Sequence, residues 1–151
     1  MIRASARLAF LASFVLTVGC AAPLAPDGFT VVDDGVGHTK AIASDDSMFW
    51  VRTFRDDLDG TLTFWHETLV GDFVDHRGYA RLEEREIHWG GVPAIEMIFE
   101  ATARGRTRRY LVTLRIEEGL LANRIHIAEF VADKTVFDDH LDVVREALGG
   151  H

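Results

Sequence analysis

Val92-Pro93-Ala94-Ile95-Glu96-Met97-Ile98-Phe99-Glu100-Ala101-Thr102-Ala103-Arg104-Gly105 is the stretch that decides the fold. Ile95, Met97 and Phe99 stand on one side and Glu96 and Glu100 on the other, the period of two that marks a β-strand. Arg104-Gly105 supplies a turn. On its far side Arg109 to Ile116 alternates again, with Tyr110, Val112, Leu114 and Ile116 opposed to Arg109, Thr113 and Arg115. On the near side Tyr79 to Trp89 alternates charges with Leu82, Ile87 and Trp89 and stops at Gly90-Gly91. Beyond Glu117-Glu118-Gly119, Leu120 to Val131 reads as a further strand. In it Ile125 and Ile127 are in step and Phe130 is not, which predicts a bulge near Ala128. Connections this short admit no crossover, so these strands are expected to form an antiparallel meander.

Upstream, Gly28 to Val32, His38 to Ser44 and Met48 to Phe54 are β-rich, separated by the turn chemistry of Asp33-Asp34-Gly35-Val36-Gly37 and Asp45-Asp46-Ser47. Between Thr61 and Asp75 the period becomes helical. Leu62, Trp65, Leu69 and Phe73, flanked by Val70, share a face, with Asp59 as the expected N-cap and Gly78 after the last turn. A closing helix is expected from Lys134 to Leu148, where Phe137, Leu141, Val144 and Leu148 share a face and Asp133 stands ready to cap. Two helices, each with one apolar face, must cover a sheet. The fold class is therefore α+β, an antiparallel sheet flanked by two amphipathic helices.

This order of elements resembles the PsbP-like fold, an α-β-α sandwich that includes the photosystem-associated PsbP proteins, the Ran-binding Mog proteins and many short bacterial lipoproteins. The cues are Gly28-Phe29, Gly90-Gly91-Val92-Pro93-Ala94, Tyr110-Leu111-Val112-Thr113-Leu114, and the helix holding Phe137, Asp138, His140, Leu141 and Val144. All are structural, and no family catalytic residue maps onto them. The resemblance implies an accessory or binding module. A cystatin-like or nuclear-transport-factor-like α+β domain is the alternative architecture.

At the N-terminus Arg3 and Arg7 precede the uncharged apolar run Leu8 to Val18, the build of an export signal. That run is far short of the roughly 20 residues needed to span a bilayer. Leu16-Thr17-Val18-Gly19-Cys20 resembles the lipobox of bacterial lipoproteins, in which the signal is removed before a diacylated cysteine. Residues 1–19 are accordingly read as signal, 20–27 as the acylated Cys20 with a short proline-containing tether, and 28–151 as one domain. An ordinary secretory signal cleaved near Ala21-Ala22 is the competing reading. By the same resemblance, Ala21 rather than Asp after Cys20 favours the periplasmic face of an outer membrane, where the source is Gram-negative.

Without the signal, 14 basic residues face 24 acidic ones, a formal charge of −10. Such a surface repels phosphate backbones, so nucleic acid is not an expected partner. Cys20 is the one cysteine, so the domain has no disulfide and must be held by burial. Against the acidic background stands one basic cluster, Arg104, Arg106, Arg108 and Arg109, read either as a contact for anionic headgroups or an acidic partner, or as a solvated hairpin.

Seven histidines among many carboxylates invite a metal reading. Asp72 and His76, spaced i,i+4 with Asp75 beside them, form half a site or a solvated helix end. Asp138, Asp139, His140 and Asp142 suit a helix N-terminus equally well. His88 and His126 lie in strands and approach one another only if those strands pair. Neither Gly-x-Ser-x-Gly nor His-Glu-x-x-His occurs, and Ser44 and Ser47 have no neighbouring base. The expectation is an envelope lipoprotein without cofactor, acting as a non-catalytic binding module for another envelope protein. The alternative is a small-ligand or metal-dependent enzyme domain using His76 and Asp72.

Overall fold

The computed structural model describes residues 24–149; the expected signal, Cys20 and the first residues of the expected tether lie outside them. The chain forms β1 (Thr30–Gly35), β2 (His38–Ile42), β3 (Met48–Arg55), α1 (Leu62–Gly71), a single π-type turn Asp72–His76, β4 (Ala80–Trp89), β5 (Val92–Ala103), β6 (Arg106–Glu117), β7 (Arg124–Asp133) and α2 (Phe137–Ala147). All seven strands join one antiparallel sheet in the order β1-β2-β3-β7-β6-β5-β4. Two hairpin-connected groups thus meet where β3 pairs β7, with Phe49 opposite Phe130 and Val51 opposite Ala128. The link between them is α1, which carries the chain from the middle of the sheet to its far edge.

Each face has its own helix and its own core. Beneath α2, Phe49, Ile98, Leu111, Ala128 and Phe130 pack with Phe137, Val144 and Leu148. On the other face Phe73 packs with Met97, Phe99 and Val112, its ring stacked on Phe99 at 4.7 Å. Fully buried side chains of this size contribute about 1.5–3 kcal/mol each, which lets a chain without disulfides fold. The α+β sandwich is therefore as the alternation of β5 and β6 requires.

Three local expectations are corrected. No bulge interrupts β7, whose register with β3 and β6 is continuous. Ile127 lies on the α1 side while Ala128, Phe130 and Ala132 lie under α2, so a strand covered on both faces loses its alternation. The register shifts instead fall in the two edge strands, between Val31 and Asp33 and between Arg81 and Glu83. With charges along both edges, these bulges blunt them against further strand pairing.

Thr61, not Asp59, caps α1: its hydroxyl accepts the Phe64 N–H at 3.1 Å. Asp59 sits in the left-handed region, where it cannot cap. Asp133 does not cap α2 either. It accepts the Thr135 N–H and hydroxyl in a turn, and the helix begins later at Phe137.

The sheet has two ends. At one lie the β1–β2 turn, the end of β3, the β4–β5 turn and the β6–β7 connection; this is the Leu120 end. At the other lie the β2–β3 turn, residues 77–79, the β5–β6 turn and the β7–α2 joint; this is the Arg104 end.

Candidate functional site

The β5–β6 hairpin closes with Ala103 opposite Arg106, leaving a two-residue loop. Arg104 and Gly105 both have positive φ, 52° and 76°, as a loop matching the twist of the strands demands. Glycine does this freely, whereas a side chain there costs about 1–2 kcal/mol and asparagine or aspartate is usual. Asp46 and Asp59 are the other described non-glycine residues with positive φ. Arg104 is therefore a strained arginine presented at a tip, a feature that clusters at sites with a role.

Alternation along β6 sends Arg106 and Arg108 to the same side as Tyr110, the side covered by α1. There the chain returns from the π-type turn. Arg77 lies over the Phe73 ring at 4.5 Å and pairs with Asp72 at 2.6 Å, and Tyr79 leans on Tyr110 with ring centres 4.9 Å apart. Arg77, Tyr79, Arg104, Arg106, Arg108 and Tyr110 line a cleft of about 400 Å³. Burial, then the Tyr79 hydroxyl, pushes the Tyr110 phenol up to about 12, so it stays protonated and acts as a hydrogen-bonding group, not a base.

Among the described residues neither Arg104 nor Arg108 pairs with a carboxylate, and Arg106 reaches Asp133 only at 4.0 Å. Unpaired guanidiniums present planar, two-pronged donors that suit carboxylate or phosphate groups. The cleft can therefore bind an anionic group.

The fourth arginine of the cluster does not belong there. Arg109 points to the opposite face, donating to Glu100 at 3.2 Å and meeting Asp138 at 3.5 Å. Lys134 shares Glu100, and hydrogen bonds from Lys134 and Arg109 hold that carboxyl below its ordinary value. Arg109 fastens α2 to the sheet. Conversely, sequence reading missed Arg77 and Tyr79 as neighbours of the hairpin, because the topology alone joins residues so far apart in the chain.

The histidine candidates scatter. His76 Nδ1 lies 3.8 Å from Asp72, whose carboxylate Arg77 already engages, and among the described residues no third ligand joins them. His140 pairs with Asp45 at 2.7 Å, edge-on to the rings of Phe29 and Phe130. Burial opposes, but hydrogen bonds from His140 and Ser47 prevail, lowering the Asp45 carboxyl to about 2. Asp139 and Asp142 make no ion pair among the described residues, and Asp138 is the partner of Arg109. His88 on β4 is opposite Pro93, whereas His126 on β7 is opposite Thr53 and Arg115. Alternation puts His126 on the α2 side, near Trp89, and His88, between Ile87 and Trp89, on the other face, so the sheet keeps them apart.

No protein-family model and no curated protein sequence matches this chain. Solved structures do. LpqN, described as involved in cell envelope biogenesis of Mycobacterium tuberculosis, superposes with a TM-score of 0.68 at 10% identity, over 82% of this chain and 76% of its own. A Pseudomonas aeruginosa protein of unknown function, PA94, gives 0.55 at 11% identity, over 80% and 93%. The Saccharomyces cerevisiae Ran-binding protein Mog1p gives 0.50 at 13% identity, over 82% and 80%. At these identities the likeness is one of fold, and the fold is the one that the order of elements resembles.

Proposed function

We propose that this is a lipid-anchored envelope protein whose domain is a non-catalytic accessory module, held by acylated Cys20 and binding an acidic partner protein through Arg104, Arg106 and Arg108. The carrying observation is the strained, unpaired arginine tip beside the Tyr79–Tyr110 cleft, on a domain that is otherwise strongly acidic. A fold shared with an envelope-biogenesis protein and with a Ran-binding protein is consistent with both halves of the reading. Among the described residues no helix is long and apolar enough to cross a membrane; the anchoring at Cys20 rests on the likeness of residues 16–20 to a lipobox. In a Gram-negative source we place it at the periplasmic face of the outer membrane.

Cross-linking in cells followed by mass spectrometry tests the contact. One envelope protein is expected, lost when Arg104, Arg106 and Arg108 are all changed to Glu. A partner retained by that variant, or no reproducible partner, refutes the proposal. The anchor is tested separately: Cys20→Ala should leave an uncut precursor without lipid, and a lipid-modified mass unchanged by that substitution refutes it.

A further inference from the structure

The Leu120 end carries most of the apolar side chains that the domain leaves in solvent. Of the eight large ones exposed among the described residues, Val36, Phe54, Leu58, Phe64, Leu120 and Leu121 lie there. The other two, Val32 and Leu82, lie within the edge strands. Val36, Leu120 and Leu121 are at least 96% exposed. Val36, Phe54, Leu120 and Leu121 surround a shallow cleft of about 580 Å³. Apolar side chains gathered at loop tips, not scattered, mark a contact surface.

The path of the chain says what covers them. Phe29 packs on His140 near the start of α2, whereas Ala25 shares a small cleft with Glu146 and Ala147 at its end. That end is beside the Leu120 end of the sheet, since Gly149 lies against Gly90 of the β4–β5 turn. Followed backwards, the chain therefore leaves the domain heading towards the Leu120 end. Cys20 is four residues before Leu24, a reach of at most about 14 Å. The Arg104 tip is the length of β5 away, about 40 Å at the rise of an extended strand. Charge does not steer the contact: Arg55 and Arg124 are outnumbered by Asp57, Asp59, Glu117 and Glu118.

We infer that the Leu120 end rests on the bilayer, with Leu120, Leu121 and Val36 inserted among the lipid headgroups beside the acyl chains of Cys20. This rests on the acylation of Cys20 proposed above. Apolar insertion fixes the orientation of a domain that a flexible tether alone would leave free to tumble, and it needs no anionic lipid.

The test uses the full acylated chain in phosphatidylcholine vesicles containing nitroxide-labelled lipid. Acylation blocks Cys20, so Leu121→Cys takes an environment-sensitive fluorophore at that position alone, and Arg104→Cys serves as the comparison. A blue shift and loss of emission are expected at position 121, undiminished by salt, with no change at position 104. Val36→Ser with Leu120→Ser, both at fully exposed sites where folding is unaffected, should abolish most of that loss. Mass spectrometry of the same preparation reads the anchor. A chain without lipid on Cys20 overturns the acylation reading and this inference with it. An acylated chain whose two labels respond alike overturns the inference and leaves the anchor standing. Self-quenching that grows with protein density, without lipid quenching, assigns the surface to a second copy and overturns it too.

Discussion

Replacing Glu96 by glutamine removes one charge from beneath α2 while preserving shape. Glu96 is 2% exposed and accepts from Arg85 Nε at 2.7 Å and from Arg145 at 2.7 Å, so it joins the edge strand β4 and the helix α2 through β5. Burial pushes its carboxyl up, but the hydrogen bonds from Arg85 and Arg145 outweigh it and leave the group below its ordinary value. Breaking a fully buried pair costs about 3–5 kcal/mol. Here the arginines are 47% and 21% exposed and keep part of their hydration, so the loss is expected near 2 kcal/mol. For a domain of this size that lowers Tm by about 8 °C.

The sign with pH follows from the lowered carboxyl. The unfolded chain takes up the proton first, so the stabilisation is complete above the ordinary 4.5 and lost as pH falls through the lower folded value. Urea denaturation of wild type and Glu96→Gln should therefore differ fully at pH 7 and converge in acid. Arg145→Met should cost less, and the double variant less than the sum, with a coupling of at least about 1 kcal/mol. A Glu96→Gln domain within about 0.5 kcal/mol of wild type at pH 7, the range of an inconsequential surface change, would refute the argument.

Two further outcomes follow from buried polar groups. Asp56 is 1% exposed and accepts from the Leu58 and Gly60 N–H groups and from Trp65 Nε1; Asp56→Ala should cost about 3 kcal/mol, one for each stranded donor, and red-shift Trp65 emission. An unchanged urea midpoint contradicts this. His126, packed near Trp89 with Arg115 opposite it, is held below the ordinary 6.5 by burial and then by the Arg115 charge. The unfolded chain therefore binds that proton first, stability declines as pH falls from about 6.5, and His126→Gln should flatten the decline between pH 7 and 5. Equal slopes in the two proteins rule out that assignment.

What could be read from the chain depended on whether a strand has one covered face or two. Trp89 and Ile87 alternate with charges along β4, an edge strand, and both join the core beneath α2, whereas Leu82, named with them, falls in the β4 bulge and is exposed. Glu96 and Thr113 look like solvent-facing partners of Met97 and Val112, yet both are buried, because α2 closes over the side that alternation assigns to water. The same double coverage made Phe130 look out of step. The π-type turn at Asp72–His76 leaves the apolar spacing of α1 intact and so leaves no signal. For the candidate site, the arginines were legible as a charge run, but the separation of Arg109 from Arg108 is a matter of strand parity. Its meeting with Glu100 follows from the hairpin register, where the two stand opposite, whereas its meeting with Asp138 requires α2 to be in place.

That parity bears on which partner the basic cluster takes. Headgroups and an acidic protein are equally suited to guanidinium, so chemistry alone does not choose between them. Distance does. With the Leu120 end on the bilayer, the Arg104 tip stands about 40 Å above it, several times the Debye length of about 8 Å at physiological salt, and headgroup charge is screened out before it reaches the tip. The two contacts then answer to different forces, one apolar and close to the anchor, the other ionic and far from it. Raising salt before the cross-linker is added should abolish capture of the partner while leaving the position-121 fluorophore quenched. Were both to be lost together, the arginines and the leucines would be facing the same surface, and the separation of the two ends along β5 would have no functional meaning.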